Sequence, residues 1–480
     1  MKKLILIILS FCIAISSAGC REEYEVNENY DLTINLSSDM ELQCAMNYSF
    51  ICRIEEQTHI KFNLFANAFS EEATISPVYD SDVLIAYPNG KSYTNLEITT
   101  VKTNGENCDF QTGGVNDGIL TVGFNRSLQK GKEYEIYIEY SLKLANVKHR
   151  LGYGDNTVNL TGFYPIACVY ENGDFYQNVY YPTGDPFYSE CADYSVKLTL
   201  PSTLVVASSM SPLKTKWNVD TTTYYFAQKN VREIGFVLSE KFNVLENTFD
   251  GVSVKYYYFS DENPEKSLQT ACDALQYFSD VYCKYPYENY AVCQADFIYG
   301  GMEYPCLAMI SSDVVSSYRD YVIAHETAHQ WFYGLLGFNQ SEEAFLDEGL
   351  TELSTAMFLD GKNGLSYKDY LNQAKSSYLA IDESLTYLGY TYPKVMLRNL
   401  KEFKSQAEYV MIAYNLGELA FDSVRESMGD KNFKKFLKGL FEKYKYQNVN
   451  YETFKAELNK KSKNSCEILA KFVSGNMKIN

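Results

Sequence analysis

Hydrophobic and polar residues alternate with a period of two over much of the first half of the chain, from about residue 37 to about residue 245. Residues 133–140 and 193–200 alternate most clearly, as strands with one buried face do. Turn-forming Asn-Gly pairs separate such runs, at 89–90, 104–105 and 172–173. The pattern therefore predicts an all-β N-terminal domain over residues 37–247.

The period changes after about residue 250. Asn263-Pro264-Glu265 combines a helix cap, a proline at the first helical position and an acidic first turn, which predicts a helix to about Cys283. Short strands are expected near 252–259, 292–297 and 307–311. Helices are expected to dominate the rest, over about 342–359, 366–382, 406–428, 431–445 and 451–461. Residues 248–480 are thus predicted to form an α+β, mainly helical second domain.

The strongest chemical signal is the segment His325-Glu326-Thr327-Ala328-His329. Two histidines four residues apart lie on one face of a helix, where both imidazoles can hold one Zn²⁺ ion. Glu348 follows after 18 intervening residues and could return on a second helix as a third ligand. Glu326 lies one step round the helix and could act as a general base toward a water molecule. Three protein ligands with an open fourth position are typical of a catalytic zinc site.

A core helix whose histidines only form hydrogen bonds is the alternative interpretation of this segment. The chain has only four histidines, and two of them flank a Glu at this spacing. A buried cluster of this composition without a metal would leave polar groups unpaired, which is unfavourable. The zinc interpretation is therefore preferred.

Glu303 is a candidate for binding a cation, such as the free α-amino group of a peptide. The preceding Gly300 and Gly301 allow a backbone to approach a ligand closely, and Met302 lies between them and the carboxylate. A tight turn with a surface Glu is the alternative for this segment.

Two further side chains suit a zinc hydrolase. Tyr414 could donate a hydrogen bond to the oxyanion that forms when water attacks a carbonyl. Glu352, four residues after Glu348, could accept a hydrogen bond from the outer nitrogen of a zinc-bound histidine. A solvated helix Glu is an equally simple interpretation of Glu352.

These motifs together resemble the gluzincin aminopeptidases of the aminopeptidase N family. The family's H-E-x-x-H, 18 residues and E are matched by His325 to Glu348, its G-x-M-E-N by residues 300–304, and its Y-x-x-G by residues 414–417. The resemblance spans most of residues 60–460 and implies a thermolysin-like catalytic domain. It implies that Glu303 grips the substrate's N-terminus, that Glu326 is the general base and that Tyr414 stabilises the oxyanion.

The chain departs from the family pattern at three points. Tyr304 stands where the family has Asn, so contacts of that amide are not expected. A second amine anchor from the β domain is a family feature, for which Glu171 is a guess. The chain resembles a short form without the family's large C-terminal helical domain, so the cleft is expected to be open and to select weakly for peptide length.

The N-terminus is typical of an export signal, with two lysines, an apolar run and small residues over 1–19. Ser17-Ala18-Gly19-Cys20 resembles a bacterial lipobox, so Cys20 is expected to carry lipid at the outer face of a cell membrane. Plain secretion is the alternative. Residues 20–36 are expected to be a polar spacer. The formal charge of −18 argues against a nucleic-acid partner.

Ten cysteines follow Cys20, and none has the paired spacing of a structural zinc site. Export permits disulfides, and Cys44 with Cys52 is the most local candidate pair. Free buried thiols are the alternative. The sequence leaves the pairing and the oligomeric state open.

The sequence as a whole predicts an aminopeptidase that binds one zinc ion and removes N-terminal residues from peptides with a free N-terminus. A thermolysin-like endopeptidase is one alternative, and a non-catalytic peptide-binding lipoprotein is another. Blocking the substrate's α-amine separates the first two, because only an endopeptidase would still cleave.

Overall fold

A computed structural model of the protein describes residues 26–479. The predicted signal peptide and the lipobox with Cys20 lie outside the described residues. The described chain forms a β-rich N-terminal region followed by an α+β region that is mainly helical, which confirms the predicted fold class. Among these residues, no helix is both long and apolar enough to cross a membrane.

From residue 26, where the description begins, the N-terminal region contains eighteen strands and one short helix, α1 (Val83–Ala86). The strands are β1 (Glu28–Leu36), β2 (Glu41–Ile51), β3 (His59–Asn63), β4 (Asn95–Thr103), β5 (Glu106–Asn107), β6 (Phe110–Gly113), β7 (Ile119–Gly123), β8 (Glu133–Lys143), β9 (Gly152–Tyr153), β10 (Val158–Thr161), β11 (Ile166–Ala167), β12 (Tyr170–Glu171), β13 (Asp174–Phe175), β14 (Ala192–Pro201), β15 (Val205–Ser208), β16 (Pro212–Trp217), β17 (Thr221–Val231) and β18 (Gly235–Ser239). Single turns of 3₁₀ helix occur at Phe65–Phe69 and Val115–Asp117.

The largest sheet has eight strands in the order β16-β17-β14-β1-β2-β8-β4-β5. Two four-stranded sheets accompany it, in the orders β15-β18-β10-β9 and β11-β3-β7-β6. Two of the predicted Asn-Gly turns join paired strands, Asn104-Gly105 between β4 and β5 and Asn172-Gly173 between β12 and β13, and all four residues have positive φ. These turns thus have the backbone conformation that Asn and Gly favour.

Strand β1 corrects the predicted spacer over residues 20–36. Its residues pair with β14 on one side and with β2 on the other, in the middle of the largest sheet. Tyr30, Leu32, Ile34 and Leu36 alternate into the core, while the residues between them face outward. The acidic residues before position 30 suggested a spacer, but the period-two burial that starts at Tyr30 makes a strand.

The second region begins with β19, so the predicted boundary at 247/248 is wrong. Strand β19 (Asn243–Phe249) pairs along its whole length with β20 (Val252–Tyr258), and the boundary therefore falls between Ser239 and Asn243. Most residues of β19 are exposed, as in the edge strands β16 and β5 of the largest sheet. The sequence of β19 therefore predicts a strand but does not show which strand it pairs with. The remaining strands are β21 (Asn289–Ala295), β22 (Gly301–Tyr304), β23 (Leu307–Ser311), β24 (Leu336–Gly337) and β25 (Gln447–Asn448).

Among residues 26–479, nine helices follow or intersperse these strands. They are α2 (Pro264–Val281), α3 (Ser316–Ala328), α4 (Gln340–Leu359), α5 (Tyr367–Tyr387), α6 (Gln406–Tyr409), α7 (Gly417–Met428), α8 (Asp430–Tyr444), α9 (Tyr451–Lys461) and α10 (Lys463–Val473). A π-helical turn, Val410–Leu416, joins α6 to α7 without a break, and a 3₁₀ turn spans Leu400–Glu402. The structure confirms the predicted helices and adds α10, which the sequence did not indicate.

The five-stranded sheet of the second region has the order β19-β20-β21-β23-β22, with β22 antiparallel to its neighbour. Buried Arg232 ties the two regions together: its guanidinium donates hydrogen bonds to the carbonyls of Tyr333 and Gln447, at 2.7 and 2.8 Å. Each of these hydrogen bonds pairs a backbone carbonyl of the second region with the buried cation of Arg232. They therefore hold the N-terminal region against the second region at this point.

All ten cysteines among the described residues are free thiols. Cys44 lies within β2 and Cys52 directly follows that strand. Eight residues of extended chain span about 26 Å, whereas a disulfide requires Cα atoms within about 7 Å. The candidate pair Cys44–Cys52 is therefore excluded.

Candidate active site

Helices α3 and α4 bring the three predicted zinc ligands together. His325 lies in the last turn of α3, His329 caps the end of that helix, and Glu348 lies in the middle of α4. The Nε2 atoms of the two histidines are 3.1 Å apart, and each lies 3.4 Å from Glu348 Oε2. These distances are close to the edge of a tetrahedron around zinc, about 3.3 Å for ligand bonds of about 2.05 Å.

Acidic side chains behind the histidines hold their ring orientation. Asp347 Oδ1 lies 2.9 Å from His329 Nδ1, and Glu352 Oε1 lies 3.1 Å from His325 Nδ1. A carboxylate at Nδ1 keeps the proton there, so each Nε2 presents a lone pair toward the same point. Glu352 is therefore where the sequence placed it, and it is itself held by a hydrogen bond from Tyr321.

The donor set fits one zinc ion. Glu348 Oε2 is buried and lies 3.4 Å from the Nε2 atoms of both histidines, so a charged oxygen faces two imidazole nitrogens. Burial alone would lower the pKa of His325, but hydrogen bonds with Glu348 and Glu352 outweigh burial and raise the pKa to about 10. Burial alone would raise the pKa of Glu348, but hydrogen bonds with both histidines lower it to about 2. A site with this affinity for positive charge, built from two imidazoles and a carboxylate, matches zinc.

Glu326 points into the same space from α3. Its side chain is 4% exposed, and its Oε2 atom has no hydrogen-bond partner within residues 26–479. Burial raises the pKa of this carboxyl to about 8. A carboxyl that titrates near neutrality suits proton transfer in both directions.

Strand β22 carries Glu303 to the cavity and turns its neighbours away. Successive residues of a strand face opposite sides, so Gly301 and Glu303 share the cavity face, while Met302 and Tyr304 share the other. Met302 is buried against the Arg150 guanidinium, and the Tyr304 hydroxyl bonds Thr161 at 2.7 Å. Met302 was predicted to bind substrate; the alternation of the strand directs its side chain away from the cavity, and a substrate-binding role for this residue stays a prediction.

The two glycines before Met302 differ in their surroundings. Gly301 lies so close to Glu326 that a side chain at position 301 would overlap the carboxylate. Gly300 has open space around it, since the nearest atom to a Cβ would be a Val322 methyl at 4.0 Å. Both line the cavity. Gly301 is thus required for the position of Glu326, which the sequence alone did not indicate.

Glu303 is buried and close to the ligands, forming a second cluster of potential metal-binding atoms with Glu326 and His329. Gln340 Nε2 donates hydrogen bonds to Glu303 Oε1 at 2.7 Å and to Asp347 Oδ2 at 2.6 Å. Burial raises the pKa of Glu303. One amide thus fixes both the candidate amine anchor and the carboxylate behind His329.

Tyr414 reaches the site from the π-helical turn. Its hydroxyl donates a 2.6 Å hydrogen bond to Glu348 Oε1, and its ring stacks on His325. The approach of its helix depends on two glycines: a Cβ on Gly349 would lie 2.7 Å from Gly417 Cα. The absence of side chains at both positions lets α4 and α7 pack closely enough for Tyr414 to contact Glu348.

These groups open into one cavity of about 670 Å³ between the two regions. Arg150 and Asp185 form a buried ion pair on its N-terminal wall, and Glu418 lies on the wall formed by α7. Glu171, the guessed second amine anchor, does not line the cavity; its carboxylate accepts a hydrogen bond from Tyr188 instead.

Sequence reasoning missed Asp347, Gln340, Arg150, Asp185 and Glu418. Asp347 was accessible, because an acidic residue next to a ligand on α4 is a natural partner for a zinc-bound histidine. Gln340 and Arg150 carry no signal in the sequence, because their roles depend on residues that are distant along the chain.

Comparison with known proteins identifies the helical region. A model of the peptidase family M1 domain matches residues 266–475. Leucine aminopeptidase 2-1 of Meyerozyma guilliermondii is 26% identical over 187 residues, which cover 38% of this chain and 30% of the relative. Leukotriene A-4 hydrolase of Xenopus laevis is 28% identical over 206 residues, covering 41% of this chain and 33% of that protein. The chain spans about a third of the length of these curated relatives.

Solved structures share the fold over nearly the whole chain. An M1 zinc metallopeptidase mutant from Deinococcus radiodurans matches with a TM-score of 0.67 and 16% identity, covering 94% of both chains. A mutant of the same description, bound to a Tyr-Ser-Ala substrate, matches with a TM-score of 0.66 and 15% identity, also over 94% of both chains. The resemblance expected from the motifs is confirmed: residues 266–475 of this chain match the peptidase family M1 domain.

Proposed function

We propose that the protein is a zinc-dependent aminopeptidase, which hydrolyses the first peptide bond of peptides with a free N-terminus. One observation carries the proposal: the candidate ligand atoms of His325, His329 and Glu348 converge within 3.4 Å of one another, with Glu326 and Glu303 beside them. The family of the catalytic region and the names of its relatives support it.

His325, His329 and Glu348 would hold one zinc ion. Bound zinc supplies Lewis acidity, which polarises a carbonyl and lowers the pKa of water. Asp347 and Glu352 keep both imidazoles in the tautomer that presents Nε2 to the ion.

Glu326 moves the proton. Its unpaired Oε2 accepts a proton as water attacks the scissile carbonyl, and the same atom then delivers this proton to the departing amine. Burial raises the pKa of this carboxyl above its ordinary value, so it can hold the proton between the two steps.

Glu303 supplies the selectivity for a free N-terminus. Its Oε1 is occupied by Gln340, which leaves the other oxygen for a substrate's ammonium group. An ammonium held beside Glu326 and His329 places the first carbonyl of the peptide, and no later one, next to the reacting groups. The Tyr-Ser-Ala substrate of the structurally similar metallopeptidase has the size that such a site would take.

Tyr414 is assigned to the oxyanion. In the structure its hydroxyl donates to Glu348 Oε1. With substrate present, this donor would turn from Glu348 to the oxygen that gains charge in the transition state, where a hydrogen bond strengthens as the reaction proceeds.

The test compares free and blocked substrates on purified protein of known zinc content. Aminoacyl-anilides with a free amine should be hydrolysed, and their N-acetylated forms should not. Equal cleavage of N-acetylated peptides in their interior would identify an endopeptidase. Stoichiometric zinc with no hydrolysis of either set would identify a peptide-binding protein and contradict the proposal.

A matched pair of variants tests the amine anchor. Glu303→Gln keeps the size of the side chain and removes its charge, so KM for free-amine substrates should rise by tenfold or more. Glu342→Gln, near the start of the same helix as Gln340 but bonded to Tyr176 and Asn399, serves as the control and should leave KM unchanged.

We also propose that lipid on Cys20 anchors the protein at the outer face of a cell membrane. The support is the lipobox-like sequence, and Cys20 lies eight residues before the first residue of β1. Metabolic labelling with a fatty acid should mark the wild type and leave Cys20→Ala unlabelled. Release of the wild type into the medium without label would favour plain secretion.

A further inference from the structure

The wall of the cavity formed by α7 carries a buried carboxylate that the proposed reaction does not use. Glu418 is 4% exposed and lines the cavity together with Glu352 and Tyr318. Within residues 26–479, no cation and no hydrogen-bond donor contacts its carboxylate. Its strongest electrostatic neighbours are Glu352 and Asp422, which are also acidic.

An isolated carboxylate in this position is unfavourable unless something compensates it. A buried charge requires a partner, and a buried neutral carboxyl still requires hydrogen bonds. Asp422, the other acidic residue nearby, has its own partner, since it lies 2.8 Å from the Arg425 guanidinium. Glu418 therefore differs from a structural ion pair: its compensation must come from the cavity.

The cavity has a marked excess of negative charge. The described residues that line it include six carboxylates, and Arg150 is the one lysine or arginine among them. Arg150 is already paired with Asp185. Four others have assigned roles: Glu348 as ligand, Glu326 as base, Glu303 as amine anchor and Glu352 as the carboxylate behind His325. Glu418 is therefore the one lining carboxylate among the described residues without an assigned partner or task.

Glu303 and Glu418 are near different candidate zinc ligands. Glu303 groups with Glu326 and His329. Glu418 interacts instead with Glu352 and His325, and Glu352 lies 3.1 Å from the outer nitrogen of His325. If the peptide's amine is held at Glu303, its first carbonyl would lie beside the candidate zinc ligands. Its second residue would then lie beyond them, toward Glu418.

We propose that Glu418 is a specificity-determining residue that binds the ammonium or guanidinium group of a Lys or Arg at the second position of the peptide, just after the scissile bond. This inference rests on the proposed aminopeptidase activity, because it takes the amine to be held at Glu303. Tyr318 and Tyr321 line the cavity and have Glu418 as an electrostatic neighbour, and Tyr370 packs against Tyr321. These rings can pack along the aliphatic part of such a side chain.

The electrostatics agree with this placement. Burial and the charge of Glu352 raise the pKa of Glu418 well above its usual value. A cation bound next to it would oppose both effects and favour the ionised form. A neutral side chain of the same length would not favour ionisation of Glu418. Selectivity for the second residue of the peptide should therefore depend on the charge of its side chain and not on its size.

The test uses three tripeptides that differ only in the second residue: Ala-Lys-Ala, Ala-norleucine-Ala and Ala-Glu-Ala. Initial rates of dipeptide release by the zinc-loaded protein give kcat/KM for each. Ala-Lys-Ala should exceed Ala-norleucine-Ala by about ten- to a hundredfold, as expected for a hydrogen bond between charged groups in a buried site. Ala-Glu-Ala should be the poorest of the three.

Variants then assign the preference to one residue. Glu418→Gln should reduce the ratio of Lys to norleucine by at least tenfold, and Glu418→Lys should move the preference toward Ala-Glu-Ala. Glu426→Gln is the control, because Glu426 is an exposed acid on the same helix. Its ratio should equal that of the wild type.

Equal rates for Lys and norleucine in the wild type would overturn the inference, whether or not the variants fold. A Lys preference that survives Glu418→Gln would do the same. In these cases the tripeptides are still cleaved and the proposed function stands. No cleavage of any tripeptide by protein with full zinc would overturn both.

Discussion

Replacing Gly301 with alanine should displace the general base without changing any group that takes part in the reaction. A Cβ at position 301 would lie 2.7 Å from Glu326 Cγ and 2.6 Å from its Cδ. Carbon atoms in favourable contact are about 3.5–4.0 Å apart, so the Glu326 side chain must retreat by roughly 0.8 Å or more. Because α3 is buried around Glu326, the movement has to occur in the side chain itself.

The expected loss follows from this displacement. A shift of about 1 Å in a reacting group can cost about a hundredfold in rate, which is close to 2.7 kcal/mol in activation free energy. Overpacking should also lower the free energy of unfolding by about 1–3 kcal/mol. Zinc content should stay at the wild-type level, since the three nearest atoms to the added methyl group all belong to Glu326, which is not a candidate ligand.

The assay measures kcat on an aminoacyl-anilide, zinc by mass spectrometry and the thermal midpoint of unfolding. Gly300→Ala is the matched control, because the nearest atom to its Cβ would be 4.0 Å away. It should keep activity within a few-fold of the wild type. Equal losses of kcat in the two variants, or full activity of Gly301→Ala, would refute the role assigned to Gly301. Equal losses would indicate that the two glycines serve the same function.

Three further predictions concern the site and its support. Glu326→Gln should retain stoichiometric zinc but lose about 10²- to 10⁴-fold in kcat, because general acid–base catalysis contributes about this much. Turnover of an aminoacyl-anilide and analysis of bound metal measure both effects. A kcat near that of the wild type would show that Glu326 is not the general base. Asp347→Asn should weaken zinc binding about 10- to 100-fold, because Asp347 orients His329; competition with a chromogenic chelator measures this, and unchanged affinity would contradict it. Burial raises the pKa of Glu233, which accepts a hydrogen bond from Tyr333, to about 8. The folded state therefore keeps a proton that the unfolded state loses above about pH 4.5, so stability should fall as pH rises from about 4.5 to 8. Glu233→Gln should show a flatter thermal midpoint over this range, and identical pH profiles would exclude Glu233 as the source.

The residues of the candidate zinc site that are close together in the sequence could be predicted without a structure. His325, His329 and Glu326 share one helix, where the spacing alone determines which side chains are neighbours. The β pattern of the first half and the helices of the second were predictable for the same reason, since burial follows the period of the element. The spacer assigned to 20–36 was wrong because charge was given more weight than the alternation that begins at Tyr30.

Other features could not be found in this way. Met302 and Glu303 are adjacent in one motif, yet the strand turns them to opposite faces. Gln340 connects Glu303 to Asp347 across 44 residues of sequence, and nothing local marks it. The boundary between the two regions could not be predicted either, because the sequence of β19 indicates a strand without showing that it pairs with β20.

The sequence by itself determined the chemistry of the protein: two imidazoles, a third ligand and a base at fixed helical spacing, in a chain whose periodicity changes from strand to helix. These are short-range properties, set by backbone geometry and by the elements that carry the residues. Only the tertiary structure decided which carboxylates lie behind the histidines, which glycine makes room for Glu326, and that Glu418 faces the cavity without a partner. These relations join elements that are distant along the chain, and they exist only once packing has brought those elements together.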